Sequence, residues 1–274
     1  MGALEHRLNA PGDRSGRLAA IASVATVVYV PVLALALWQV LSLFQPGIRE
    51  VISSPAAVAA NLASGLADGS VAANVGASLE RALLGWIVTL VIATPLAIAA
   101  GRIRLFARLV IPVVDLLRPI SPIAWIPLAV LWLGIGLNSK LLIVFVVTFF
   151  VVFLNVYDAV IRIPPVLLSV CRTFTPSRPF MFLHVTLPAS FQGVVLGAQY
   201  GLTTAWGGVI VAEMVGANSG VGYEMLSAAN QFDPTSVIAY MVLIGLVGIV
   251  LNAAFLLVFR TMLPSFVGPG TSDA

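Results

Sequence analysis

The stretch IRIPPVLLSVCRTFTPSRPFMFLHVTLPASFQG, residues 161–193, decides how the chain is read. It lies between two long apolar runs, 141–160 and 189–215, yet is too polar to sit in lipid. It carries three of the chain's few arginines, Arg162, Arg172 and Arg178, and is punctuated by Pro164, Pro165, Pro176, Pro179 and Pro188. The spacing predicts a helix with Val166, Leu167, Val170, Cys171 and Phe174 on one face, opposite Arg172 and Thr173. An amphipathic helix between two membrane spans needs a surface to dock against.

The rest of the chain sets that loop in a membrane. Of 274 residues, 60% are hydrophobic and only 9% are charged, whereas a soluble domain carries about 25% charged residues. So few charges cannot cover a water-facing surface, and apolar runs of about 20 residues favour helices over a barrel. The net charge of +3 is small and scattered, which excludes nucleic acid as a partner. The single cysteine, Cys171, allows no internal disulfide, and His6 and His184 make no histidine-rich metal site.

These features predict an all-α polytopic membrane protein with about six transmembrane helices. Residues 1–17 form a tail and 18–44 the first span. A signal peptide would have a shorter apolar region, and Leu43-Phe44-Gln45-Pro46 is a poor cleavage site. Residues 45–76 form a loop with an interfacial helix after Ser53-Ser54-Pro55, where serine caps and proline suits the first turn. Further spans are expected at 77–101, 111–135, 141–160, 189–215 and 237–259, followed by a tail, 261–274. Arg102, Arg104 and Arg108 read as a tight basic loop, and 216–234 as a polar connection. With the N-terminus inside, the inner segments hold ten arginines, whereas the outer segments hold Arg49 and Lys140, with Arg81 at an outer helix end. The positive-inside rule then makes both termini and the amphipathic loop cytoplasmic.

Enzyme chemistry has no foothold in the sequence. The only lysine, Lys140, follows Ser139 outside any phosphate-loop pattern, neither histidine has triad neighbours, and His-Glu-x-x-His is missing. The charges within spans are Asp115, Arg118, Asp158 and Glu213, and such residues are expensive in lipid and often functional. Asp115 and Arg118, at i and i+3, either neutralise each other or form a charge pair near a helix contact or pathway. Asp158 lies at an inner helix end and reaches headgroup water. Glu213 is either an acid snorkelling to the interface or a gate or docking residue. Pro112, Pro119, Pro122 and Pro127 interrupt the third span. Such breaks persist in lipid only where protein or a water-filled cavity covers them. Trp125 beside them is a packing residue or a pathway wall.

The loop resembles the EAA motif of ABC importer permeases: Glu-Ala-Ala, three residues, Gly, nine residues, then Ile-x-Leu-Pro. Here Ser169-Val170-Cys171 stands for Glu-Ala-Ala and Thr175 for the glycine, and Val185-Thr186-Leu187-Pro188 follows at the family spacing. Other segments resemble the nitrate/sulfonate/taurine/bicarbonate branch. They are Ser53-Ser54-Pro55, Ser78-Leu79-Glu80-Arg81 with Gly85, 117–128, 133–136, Ala205-Trp206, Ala212-Glu213-Met214 and Gly220-Val221-Gly222. In order, they cover most of residues 18–260.

The resemblance implies a transmembrane domain of the binding-protein-dependent importer type over 73–260, with a coupling loop at 161–188. It implies a permease subunit in a bacterial inner membrane that moves a small organic or inorganic anion, binds no cofactor or metal, and leaves ATP to a partner. The implied partners are a second permease copy, a cytoplasmic ATPase dimer, an extracytoplasmic solute-binding protein and the lipid bilayer. Val166, Ser169, Val170, Cys171, Arg172, Phe174, Thr175, Leu187 and Pro188 would then couple to the ATPase, and Asp115, Arg118, Trp125 and Glu213 are pathway or gate candidates. Two departures stand out. The missing glutamate removes a polar contact to the ATPase, and Thr175 replaces a turn-permitting glycine. The competing function, a secondary carrier or channel working without an ATPase, would need coupling acids and often an inverted repeat, which the sequence does not display.

Overall fold

The computed structural model describes residues 29, 32–42, 53–174 and 177–262; the side chains of Leu168, Arg172, Phe174, Arg178, Pro179 and Met262 lie outside that description. The described secondary structure is helical throughout. It comprises α1 (Val32–Ser42), α2 (Pro55–Ala67), α3 (Ser70–Arg102), α4 (Arg104–Leu117), a 3-10 turn (Pro122–Trp125) and α5 (Ile126–Leu133). These are followed by α6 (Leu137–Ile161), α7 (Pro165–Phe174), α8 (Arg178–Met181), a π turn (Phe182–Thr186), α9 (Leu187–Glu213), α10 (Val221–Asn230) and α11 (Pro234–Met262). Four described helices are long and apolar enough to cross a bilayer: α3, α6, Phe182–Glu213 and α11. The pair α4 and Pro122–Leu133, bent by 98°, makes a fifth if taken as one broken span. Most of the expected first span, 18–44, lies outside the described residues.

The core is a bundle of α3, α6 and α9. Ala93, Ala97 and Ala100 of α3 bury against Val152, Phe153, Val156 and Val160 of α6. Ala82, Val144, Ala205, Trp206 and Val209 continue the contact towards the other end. In lipid no hydrophobic force draws helices together, so close packing and interhelical hydrogen bonds must hold them. Gly193 of α9 packs directly on Ala159 of α6, and a Cβ at Gly85 of α3 would meet Val144 at 2.5 Å. Trp86 Nε1 donates to Ala198 O at 2.8 Å, and Trp206 Nε1 donates to Ile244 O at 2.9 Å. The second bond anchors α11, which also joins α2 through Ser53 with Thr235 (2.7 Å) and Asn61 with Ser236 (3.1 Å).

Asp233 caps α11: Thr235 N donates to Oδ1 at 3.0 Å, Ser236 N at 3.2 Å, and the Ser236 hydroxyl donates to Oδ2. These donors, the Ser236 hydroxyl first, hold the carboxyl below the usual aspartate value, against a smaller opposing effect of burial.

Two sequence expectations are corrected here, at 102–108 and 216–234, and the break in the third span is located. The basic loop at 102–108 is a corner only one residue wide: Arg102 ends α3, Ile103 is extended (φ −112°, ψ 102°) and Arg104 begins α4. The third span is interrupted as expected, and the break falls at 118–121: Pro119 and Pro122 withdraw backbone donors, and Pro122 holds Ser121 out of the helix while Arg118 keeps helical dihedrals. Ser121 is extended (ψ 136°) and Pro122 opens the 3-10 turn. The connection at 216–234 contains α10, launched by Gly220 at φ 114°. Its Gly, Ser and Asn content concealed a helix that packs on α9 and α11.

Candidate functional site

Three places carry the chain's unusual chemistry. The first is at the C-terminal end of α9. Glu213 is the last residue of that helix and is fully buried. Arg81 Nη1 lies 2.6 Å from Glu213 Oε1. Ser78, one turn before Arg81 on α3, hydrogen-bonds both carboxylate oxygens (2.9 and 2.8 Å), and Gly222 N donates to Oε2 at 3.1 Å. The arginine also reaches the following loop, donating to Ser219 O at 2.9 Å and Ser219 Oγ at 2.7 Å. Val221 N donates to Ser78 Oγ at 2.9 Å, and Gly220 N to Asn74 Oδ1 at 2.9 Å. A side chain on Gly220 would enter the Glu213 carboxylate itself, so the glycine serves both the φ of 114° and the approach. Lys140, buried in the first turn of α6, lies within electrostatic reach of Arg81 and Glu213.

This node overturns the snorkelling reading of Glu213: the carboxylate points inward and joins α3, α9 and α10. A buried carboxylate is stable only with a cation and filled lone pairs, and both are present. Sequence reasoning missed Ser78, Ser219 and Lys140. The one available signal was Ser78 and Arg81 sharing a face of α3 at i and i+3.

The second place is the proline break. Asp115 and Arg118 are both exposed and form no ion pair, so they do not neutralise each other. Arg118 borders a cavity of about 390 Å³ together with Pro122 and, on α6, Val147, Phe150, Val151 and Asn155. A second cavity of about 460 Å³ lies beyond it, walled by Asn155, Asp158 and Arg162 of α6 and Gln192 of α9. Trp125 is partly buried, and its Nε1 is a buried donor without an acceptor among the described residues. Asp158 stands in the water-accessible position expected of it, half-exposed and 3.8 Å from Arg162.

The third place is α7. The expected helix is present, and Val166, Leu167 and Val170 are exposed, Val166 at 71% of its surface. Its apolar face is therefore left uncovered by these residues. Cys171 is half-buried, and Ser169 Oγ donates to Pro165 O at 3.0 Å, inside its own helix. The side chains of Arg172 and Phe174, and all of Thr175, lie outside the described residues, as does the turn that Thr175 would make. Leu187 and Pro188 do not end an open loop. They open α9 and follow a π turn whose His184 stacks on Phe180 of α8 at 4.1 Å. Among the described residues no group of His, Cys, Asp and Glu is arranged to hold a metal.

A helical bundle crossing the membrane, interrupted by a proline-broken span beside cavities and carrying an uncovered amphipathic helix at one end, defines a membrane transport component. Residues 93–267 match the family described as the inner membrane component of binding-protein-dependent transport systems, and the chain belongs to that family. A putative ABC transporter permease of Methanocaldococcus jannaschii is 32% identical over 81% of this chain and 85% of its own length. The taurine transport system permease of Escherichia coli is 27% identical over 81% of this chain and 80% of its own. A nitrate import permease of Leptolyngbya laminosa is 27% identical over 65% and 64% respectively. Among solved structures, the MetNI methionine ABC transporter in an inward-facing form matches with a TM-score of 0.59 at 22% identity, over 67% of this chain and 92% of that one. That likeness establishes the fold. The chain is thus an inner-membrane permease subunit of an ABC importer, a transport component.

Proposed function

We propose that two copies of this chain form the translocation unit of an importer for a small organic or inorganic anion. An extracytoplasmic binding protein delivers the solute, and a separate cytoplasmic ATPase pair, which alone binds ATP, drives the cycle. Relatives named as permeases for taurine, aliphatic sulfonates and nitrate support a small solute that bears a sulfonate or similar anionic group. The observation that carries the reading is α7. This amphipathic helix has Val166 and Val170 exposed, and on the cytoplasmic side an ATPase groove would cover them. Closure of the ATPase pair would push α7 as a lever, and the spans attached at either end would turn.

The test is association and uptake. The ATPase should co-purify with the wild-type permease, and Val170→Asp should abolish both co-purification and ATP-dependent uptake. Uptake of taurine or nitrate by this chain alone, without any ATPase, would overturn the reading in favour of a carrier.

A further inference from the structure

The two cavities meet at one residue. Asn155 of α6 borders both, and the residues around it form a single helix face: Val147, Val151, Asn155, Asp158 and Arg162, at steps of four, four, three and four. Along that face the chemistry changes from apolar at the middle of the 25-residue α6 to polar and charged at its C-terminal end. Asn155 spends one amide hydrogen on Val151 O (2.8 Å) within its own helix and lies partly exposed.

Arg118 is placed at the apolar end of the stripe, opposite Val147 and Val151 and therefore near mid-membrane depth. Its side chain makes no ion pair or hydrogen bond among the described residues, and Asp115, the acid of the preceding helix, is not among the residues that line the cavity. A guanidinium at that depth is too costly to face hydrocarbon and requires water or an anion. The proline break supplies the opening: it ends α4 at Leu117 and leaves residues 118–121 outside any helix.

We infer that Arg118 is the anion-selecting residue of a solute path that descends the α6 face from Val147 past Asn155 to the Asp158–Arg162 pair. The inference rests on the proposed permease function and adds the location and charge selection of the path. Arg118 raises the local concentration of small anions in an otherwise apolar passage. Asn155 offers its amide where the two cavities join. Arg162, partly neutralised by Asp158, receives the anion at the cytoplasmic mouth without trapping it.

Cysteine labelling tests this without knowing the substrate, because Cys171 is the chain's only thiol. In a Cys171→Ser background, Val151→Cys or Asn155→Cys is introduced and the permease, with its ATPase, is placed in inverted membrane vesicles. The probes are an anionic ethylsulfonate and a cationic trimethylammonium methanethiosulfonate. Both positions should react, with the anionic probe favoured by about tenfold relative to the same ratio on a free thiol, as expected of one unscreened charge in a narrow passage. Arg118→Gln should erase that preference and Arg118→Lys should retain it. Ile249→Cys, on an exposed face of α11, should react with neither probe. The inference fails if Val151→Cys and Asn155→Cys are as unreactive as Ile249→Cys, or if the anion preference survives Arg118→Gln. Uptake that proves independent of the ATPase would instead defeat the permease reading, and the labelling rates do not depend on that outcome.

Discussion

Glu213 and Arg118 are both charges within the membrane-spanning bundle, and the structure treats them oppositely. Glu213 is sealed in, with Arg81, Ser78 and Gly222 filling its oxygens. Arg118 faces a cavity and has no ion-pair partner among the described residues. The first arrangement fixes three helices relative to one another, and the second leaves a charge free to act on something that passes. Burial and pairing, not the presence of a charge, separate a structural clamp from a working group in this membrane protein.

The comparison can be broken most severely at the clamp. Arg81→Met leaves the Glu213 carboxylate buried without its cation and should lower stability by about 3–5 kcal/mol, measured as a loss of thermal unfolding temperature in detergent. The double variant Arg81→Met with Glu213→Leu should recover much of that loss, since an apolar pair of similar volume removes the uncompensated charge. Full loss in the double variant would mean that the loop contacts to Ser219, and not the buried charge, hold the node. Gly220→Ala should cost about 1–3 kcal/mol, because φ near 114° and the adjacent carboxylate both oppose a side chain. Arg118→Gln belongs at the other extreme: a stability change within about 0.5 kcal/mol, combined with a marked fall in anion uptake, would separate the two charges cleanly.

The smallest expected effect concerns pH. Asp233 is held below the usual aspartate value by the α11 cap. Its contribution is therefore fully present above the unfolded value of about 3.9 and fades as pH falls through the lower folded value. Asp233→Asn should lower stability slightly near neutrality, and that deficit should vanish below about pH 4, flattening the acid decline, as followed by unfolding at stepped pH.

Much of the fold was legible because lipid imposes simple rules. Four spans, the helix at Pro165–Phe174 and the cap at Ser54 follow from apolar length, periodicity and capping chemistry. The break in the third span was legible as prolines, but its 98° angle was not, since a proline removes a bond without fixing where the chain goes next. The helix at Val221–Asn230 was hidden by residues that read as a connection. Its stability comes from packing on α9 and α11 more than from propensity. The site was less legible than the fold. Asp115 and Arg118 share helical spacing, yet the pairing that spacing allows does not form.

The sequence alone determined that the segment after residue 161 is polar and contains an amphipathic helix, because composition and period are local properties; that a membrane-length helix already starts at Phe182 it did not determine. It also determined the class, through motifs that keep their order along the chain. Only the tertiary structure decided that the Val166–Val170 face stays uncovered, that Glu213 turns inward to Arg81 across 132 positions, and that Arg118 turns to a cavity. Those outcomes depend on which helix faces meet, and a meeting of distant faces is set by packing across the bundle, which no local pattern encodes.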